Sequence, residues 1–233
     1  MAKLFIGGKN STLDAIESKL NLKRIYLSKK ENLKYFKNTN FKVEILSNLE
    51  LSKLTNNAKH QGFVAELDFT YSDINKIYES KPKIVLVLDH IMDTYNLGAI
   101  IRSANAAGIK DIVMPKENCA DITSNVLKVS SGGFIGINFY KVSSLNAFLN
   151  KLKKHSYWIY GSMLDKNSTS YYSAKYNFPM AFILGNEEKG ISKSALVEVD
   201  EKIHIPQSGS VESLNVSVAA GILLFDIKHK VNE

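Results

Sequence analysis

Cysteine is almost absent from this chain: Cys119 stands alone among 233 residues. A disulfide framework needs pairs and a thiolate zinc site needs clusters, so neither is available. The five histidines (His60, His90, His155, His204 and His229) are scattered, with no H-x-x-x-H or H-E-x-x-H spacing. No metal site is therefore expected. Long apolar runs are missing as well. The longest, Val218 to Phe225, falls far short of the roughly 20 residues that span a bilayer. Met1 to Gly8 is too brief for a secretory signal. A soluble, cytoplasmic protein without a membrane role is expected. There is no Walker A sequence, no internal repeat and no low-complexity tract.

What is present is an ordinary globular composition, 45% hydrophobic and 23% charged, long enough to bury a core without staples. Thirty Lys+Arg against 23 Asp+Glu leave a net charge of +7. That sign suits an anionic partner such as nucleic acid. The excess is front-loaded: residues 1–80 hold 13 Lys+Arg against 9 Asp+Glu.

Short strands alternate with helical patterns throughout, which implies an α/β fold. In the first 80 residues strands are expected at Leu4–Ile6, Arg24–Leu27, Lys42–Leu46 and Gly62–Leu67. Helices are expected from Ser11 to about Leu20, near Glu31–Lys37 and near Leu49–Leu54. Thr70–Pro82 reads as a linker or linking helix. Ile84–Leu88 is a continuous apolar run, as a parallel strand buried on both faces would be. Strands at Asp111–Met114, Ile137–Lys141, Tyr157–Tyr160, Ala181–Leu184 and Lys202–Ile205 follow. Helices are expected near 97–107, 123–129 and 144–154, and from about Leu214. The domains are accordingly 1–70, a linker over 71–82, and 83–233.

A Rossmann site would require a glycine-rich turn after the first buried strand. The segment after Leu88 has a single glycine, Gly98, and is too long, while Gly132-Gly133-Phe134-Ile135-Gly136 follows a helix. Dinucleotide binding is disfavoured. Three strand-end segments instead carry polar residues that a core does not need. The first is Asn96-Leu97-Gly98-Ala99-Ile100-Ile101-Arg102, which opens a helix and places Arg102 one turn inside it. The second is Gly185-Asn186-Glu187-Glu188-Lys189-Gly190; the third runs from Ile205-Pro206 to Ser213-Leu214-Asn215. Loops beyond the carboxyl ends of parallel strands converge on one crevice, so these three can form one site. Ser213 could also be a simple helix cap.

Asn96-x-Gly98-x-x-x-Arg102-x-Ala104, Gly185-Asn186-Glu187-x-x-Gly190 and Ser213-Leu214-Asn215-Val216-Ser217-Val218-Ala219 resemble, in order and spacing, the three motifs of the SpoU (TrmH-like) RNA ribose 2′-O-methyltransferases. Leu4-Phe5-Ile6-Gly7-Gly8 and His60-Gln61-Gly62-Phe63-Val64-Ala65 resemble the N-terminal domain of that family. The layout is most similar to its bacterial 23S rRNA guanosine 2′-O-methyltransferases. The resemblance implies a SPOUT-type trefoil-knotted parallel-sheet domain behind a small ribosomal-protein-like α/β domain, working as a homodimer on RNA rather than DNA. It also implies S-adenosyl-L-methionine as cofactor, held by Leu184, Gly185, Ile205 and Leu214. Arg102 would take the central catalytic role, with Asn96, Glu187, Ser213 and Asn215 around it. Thr94-Tyr95 departs from the Pro-His usual before the first motif, and Gly132–Asn138 departs from the Gly-Ala and Glu of relatives. Two other readings fit the same residues: a tRNA ribose methyltransferase, or a non-catalytic RNA-binding or ribosome-assembly factor.

Overall fold

The computed structural model describes residues 2–18, 20–37, 41–57, 59–211 and 213–231. Strands β1 (Ala2–Gly7), β2 (Leu22–Leu27), β3 (Lys42–Ile45) and β4 (Phe63–Phe69) form one sheet in the order β1-β4-β2-β3. β4 runs antiparallel to both neighbours, and β2 and β3 are parallel. Helices α1 (Lys9–Glu17) and α2 (Asn48–Leu54) connect these strands. α1 begins at Lys9 rather than Ser11, because Gly8 turns the chain at φ 115° without any side-chain cap. α2 has the capping box that its Ser47 and Glu50 spacing allows. Lys30–Phe36 winds as a 3₁₀ helix that buries Phe36 beside Ile25, Leu27 and Phe63.

From residue 71 the elements are α3 (Asn75–Ser80), β5 (Ile84–Leu88), α4 (Thr94–Ala106), β6 (Asp111–Pro115), α5 (Ser124–Val129) and β7 (Asn138–Val142). They continue with α6 (Leu145–Lys154), β8 (Trp158–Ser162), β9 (Thr169–Ser170), β10 (Met180–Leu184), α7 (Lys193–Leu196), β11 (Glu201–His204) and α8 (Val216–Lys230). β5 to β11 make a seven-stranded sheet in the order β7-β6-β5-β10-β8-β11-β9, every pairing parallel. The buried pattern of β5, β6 and β10 follows from coverage on both faces. Val85, Val87, Ala181 and Ile183 meet Leu149 and Leu152 of α6 in one core. α4 and α8 pack against each other.

The chain divides into two compact units, residues 1–70 with 122–136 and residues 71–121 with 137–233. The 122–136 segment, with α5, thus packs in the first unit, where the Phe5 N–H donates to Ser124 Oγ at 2.8 Å. No helix among the described residues is long and apolar enough to cross a membrane.

Candidate functional site

β5 and β10 are adjacent and parallel, so the loops that follow them emerge side by side at the carboxyl edge of the sheet. Their backbones are joined at once: the Asp89 N–H donates to Leu184 O at 2.8 Å. The Asp89 side chain is fully buried, and its Oδ2 accepts from the Ser192 N–H at 2.6 Å. Its Oδ1 meets His90 Nδ1 in a short contact. The carbonyl of His90 in turn accepts from Asn186 Nδ2 at 2.9 Å. A buried carboxylate must be hydrogen-bonded to be tolerated, and here its bonds fasten one loop to the other.

The Gly-Asn-Glu-x-x-Gly segment is a closed hairpin, with Asn186 and Gly190 exchanging backbone bonds at 3.0 and 2.9 Å. Asn186 Oδ1 accepts from the N–H groups of Glu188 and Lys189, which holds the turn between them. Gly190 adopts φ 66°, and a Cβ on Gly185 would lie 2.3 Å from the Gly190 carbonyl carbon. The two glycines therefore act differently, one through conformation and the other through space.

α4 starts at Thr94 under an Asp93 cap, whose Oδ1 accepts from the Asn96 N–H at 2.7 Å. That cap presents the Asn96 side chain to both other motifs. Asn96 Nδ2 donates to Glu187 Oε1 at 2.8 Å, and Asn96 Oδ1 accepts from Asn215 Nδ2 at 3.0 Å. Asn215 is itself the N-cap of α8, accepting from the Ser217 N–H at 2.9 Å. Ser213 is not that cap, and the helix opens at Val216 rather than Leu214. One side chain from each of the three motifs thus joins a single line, Glu187–Asn96–Asn215, across 91 and 119 residues of sequence.

Beside this line lies a cavity of about 340 Å³. Leu184, Gly185, Ile205 and Leu214 all line it, together with Glu187 and Ser213. Its size falls within the range of about 300–1,000 Å³ typical of small-ligand sites. Gln207 also lines it, with a buried Oε1 that has no hydrogen-bond partner among the described residues. Such an acceptor is costly unless a donor arrives. S-adenosylmethionine carries an adenine amine and an ammonium group, so the residues present suit it. Gln207 is not among the sequence candidates, because an amide in a polar loop has no periodic signature.

Arg102 stands apart from the line. It lies a little over two turns into α4, not one, because the helix starts at Thr94. It is exposed, and its side chain makes no hydrogen bond or ion pair with another described residue. Glu187 bonds Asn96 rather than Arg102.

Residues 83–225 match the SpoU rRNA Methylase family, and residues 5–71 match the RNA 2'-O ribose methyltransferase substrate binding domain. The chain is 36% identical over 190 residues to the 23S rRNA (guanosine-2'-O-)-methyltransferase RlmB of Yersinia pestis, covering 79% of this chain and 77% of that one. A Staphylococcus haemolyticus chain assigned to the TrmH family of tRNA/rRNA methyltransferases is 31% identical, over 99% of this chain and 97% of its own length. Among solved structures, the AdoMet-bound rRNA methyltransferase of Sinorhizobium meliloti shares the fold with a TM-score of 0.84. It is 23% identical, with 97% of this chain and 87% of that one aligned. With three motifs joined through Asn96, two of them lining one cavity, and matches over both of its segments, the chain belongs to the SpoU rRNA methylase family.

Proposed function

We propose that this chain methylates the ribose 2′-hydroxyl of a guanosine in 23S rRNA, acting as a cytoplasmic homodimer. The general activity follows from its family: it is an RNA ribose 2′-O-methyltransferase that uses S-adenosylmethionine. The narrower substrate rests on relatives such as RlmB of Nitrosomonas europaea, 37% identical over 180 residues and covering 76% of this chain and 69% of its own. The observation that carries the reading is the Glu187–Asn96–Asn215 line beside the cavity, since nothing in the core requires it.

S-adenosylmethionine supplies an electrophilic methyl group. The protein must hold the ribose oxygen near it, at about 3–3.5 Å, and manage the hydroxyl proton. Leu184, Gly185, Ile205 and Leu214 are our candidates for holding the donor, with Gln207 Oε1 accepting one of its N–H groups. A guanidinium offers donors and no acceptor, so the proton is not assigned to Arg102. Its guanidinium instead suits a phosphate of the target nucleotide and the negative charge that develops on the 2′-oxygen. Asn96, Glu187, Ser213 and Asn215 would fix the loops on which this depends. The homodimer is supported by α8, which is apolar or small around its circumference from Val216 to Phe225 yet leaves Val218 and Phe225 51% and 53% exposed. A trefoil knot at the loops after β10 and β11 is supported by the return of β10 to the middle of the sheet. Residues 1–70 would grip RNA through salt-sensitive phosphate contacts, and 83–233 would carry the chemistry across the 71–82 linker.

Arg102→Ala tests the assignment. Methyl transfer should be abolished while donor affinity, read by calorimetry, stays within a few-fold of wild type. A variant that no longer binds the donor would show that Arg102 belongs to the cavity instead.

A further inference from the structure

The first unit matches a substrate-binding domain, and one exposed aromatic in it is set among cations. Tyr35 is 39% exposed on the 3₁₀ helix, next to the buried Phe36 that anchors that helix in the core. Its ring stands edge-on against Phe63, with centroids 6.0 Å apart at 60°. Phe63 is 4% exposed, so the tyrosine is braced from beneath by a fixed ring. Lys9 Nζ lies 4.1 Å from the Tyr35 centroid and donates to its hydroxyl at 3.0 Å. Lys34 Nζ is 5.3 Å from the same centroid.

The surrounding segment is strongly basic. Lys29, Lys30, Lys34 and Lys37 flank the ring in sequence and are exposed, and Glu31 is the acidic residue among them. Glu31 is engaged by Lys29 at 3.6 Å. The Lys9 hydrogen bond, and then the charge of Lys34, hold the Tyr35 phenol below its ordinary pKa, which reports the positive field there. Lysines that only solvate a surface need no aromatic at their centre, and a tyrosine that only packs would bury its ring. An exposed ring backed by a buried aromatic, with ammonium groups over it, is the arrangement that takes a nucleobase on its face once those lysines turn to the phosphates at its rim.

We infer that Tyr35 is a base-stacking platform for an unpaired nucleotide of the RNA substrate, with Lys9 and Lys34 contacting the adjoining phosphates. This rests on the reading of the chain as an RNA-modifying enzyme, but its test requires no methyl transfer. The full chain is titrated, without methyl donor, against a fluorescein-labelled oligouridylate over a series of salt concentrations. Tyr35→Ala should weaken binding roughly 5- to 150-fold, the usual effect of removing one stacking ring. Tyr35→Phe should stay within about two-fold of wild type, and Tyr35→Leu, which keeps an apolar group on Phe63, should be nearly as weak as the alanine variant. Lys9→Ala with Lys34→Ala should flatten the slope of log K against log salt by about 0.7 for each phosphate that is no longer neutralised. Wild-type affinity in folded Tyr35→Leu, or a Tyr35→Phe as weak as Tyr35→Ala, would overturn the inference. A wild-type chain that binds this RNA but transfers no methyl group would count against the enzymatic reading alone.

Discussion

Asn96 uses both ends of its amide, donating to Glu187 and accepting from Asn215, so it fixes two loops with one side chain. A carboxylate or hydrocarbon at that position could serve only one partner or neither. Glu66 is likewise held from two sides in the first unit. The Tyr26 hydroxyl donates to its Oε2 at 2.7 Å, while Lys3 holds its Oε1 at 3.0 Å. Burial, and then the hydrogen bond to Glu66, push the Tyr26 phenol up to about 12 from its ordinary 10.0. Burial, and then the charge of Asp111, push Tyr157 up to about 12 as well. An acid whose pKa is raised on folding stabilises the fold fully below its unfolded value, and that contribution fades as pH climbs through the folded value. Thermal stability should therefore fall between pH 10 and pH 12, and the fall should be shallower in Tyr26→Phe. A melting temperature flat across that window would contradict the assignment of these phenols.

At the scale of elements, the Gly185–Gly190 hairpin decides the shape of the cavity edge. A Cβ on Gly190 meets open space, so Gly190→Ala carries only the left-handed backbone penalty of about 1–2 kcal/mol. A Cβ on Gly185 falls 2.3 to 2.6 Å from backbone atoms of Gly190 and Ile191, which cannot yield as a side chain can. Gly185→Ala should therefore cost more than Gly190→Ala in a denaturant titration and also weaken donor binding. Equal effects in the two variants would mean that the hairpin moves freely. The parallel strands are legible because Ile84–Leu88 and Met180–Leu184 are apolar without alternation, as burial on both faces demands. Other elements leave weaker traces. The two-residue β9 and four-residue α7 are too short for any period to register. α5 shows an apolar face, but no pattern says which unit that face will meet. At the site, spacing singles out Asn96, Glu187 and Asn215, whereas their mutual bonds and the Asp89 stitch arise from contacts across about a hundred residues. Local sequence does not encode those contacts.

For the whole molecule, the +7 charge and the two units suit the proposed division of labour, in which one part would hold a polyanion and the other would modify it. The exposed apolar side of α8 is the surface that a second copy would cover. Val218→Glu together with Phe225→Glu should shift the chain to monomer in analytical ultracentrifugation and reduce methyl transfer. A wild-type chain that is already monomeric would refute the dimer. The most direct test of function is the fate of a labelled methyl group, offered to unmodified 23S rRNA and to tRNA with S-adenosylmethionine as donor. Label is expected on one guanosine ribose of 23S rRNA, read as a 2′-O-methylguanosine after digestion and absent with Arg102→Ala. Label on a base, or no transfer to either RNA by the wild-type chain, would contradict ribose methylation as the activity of this chain.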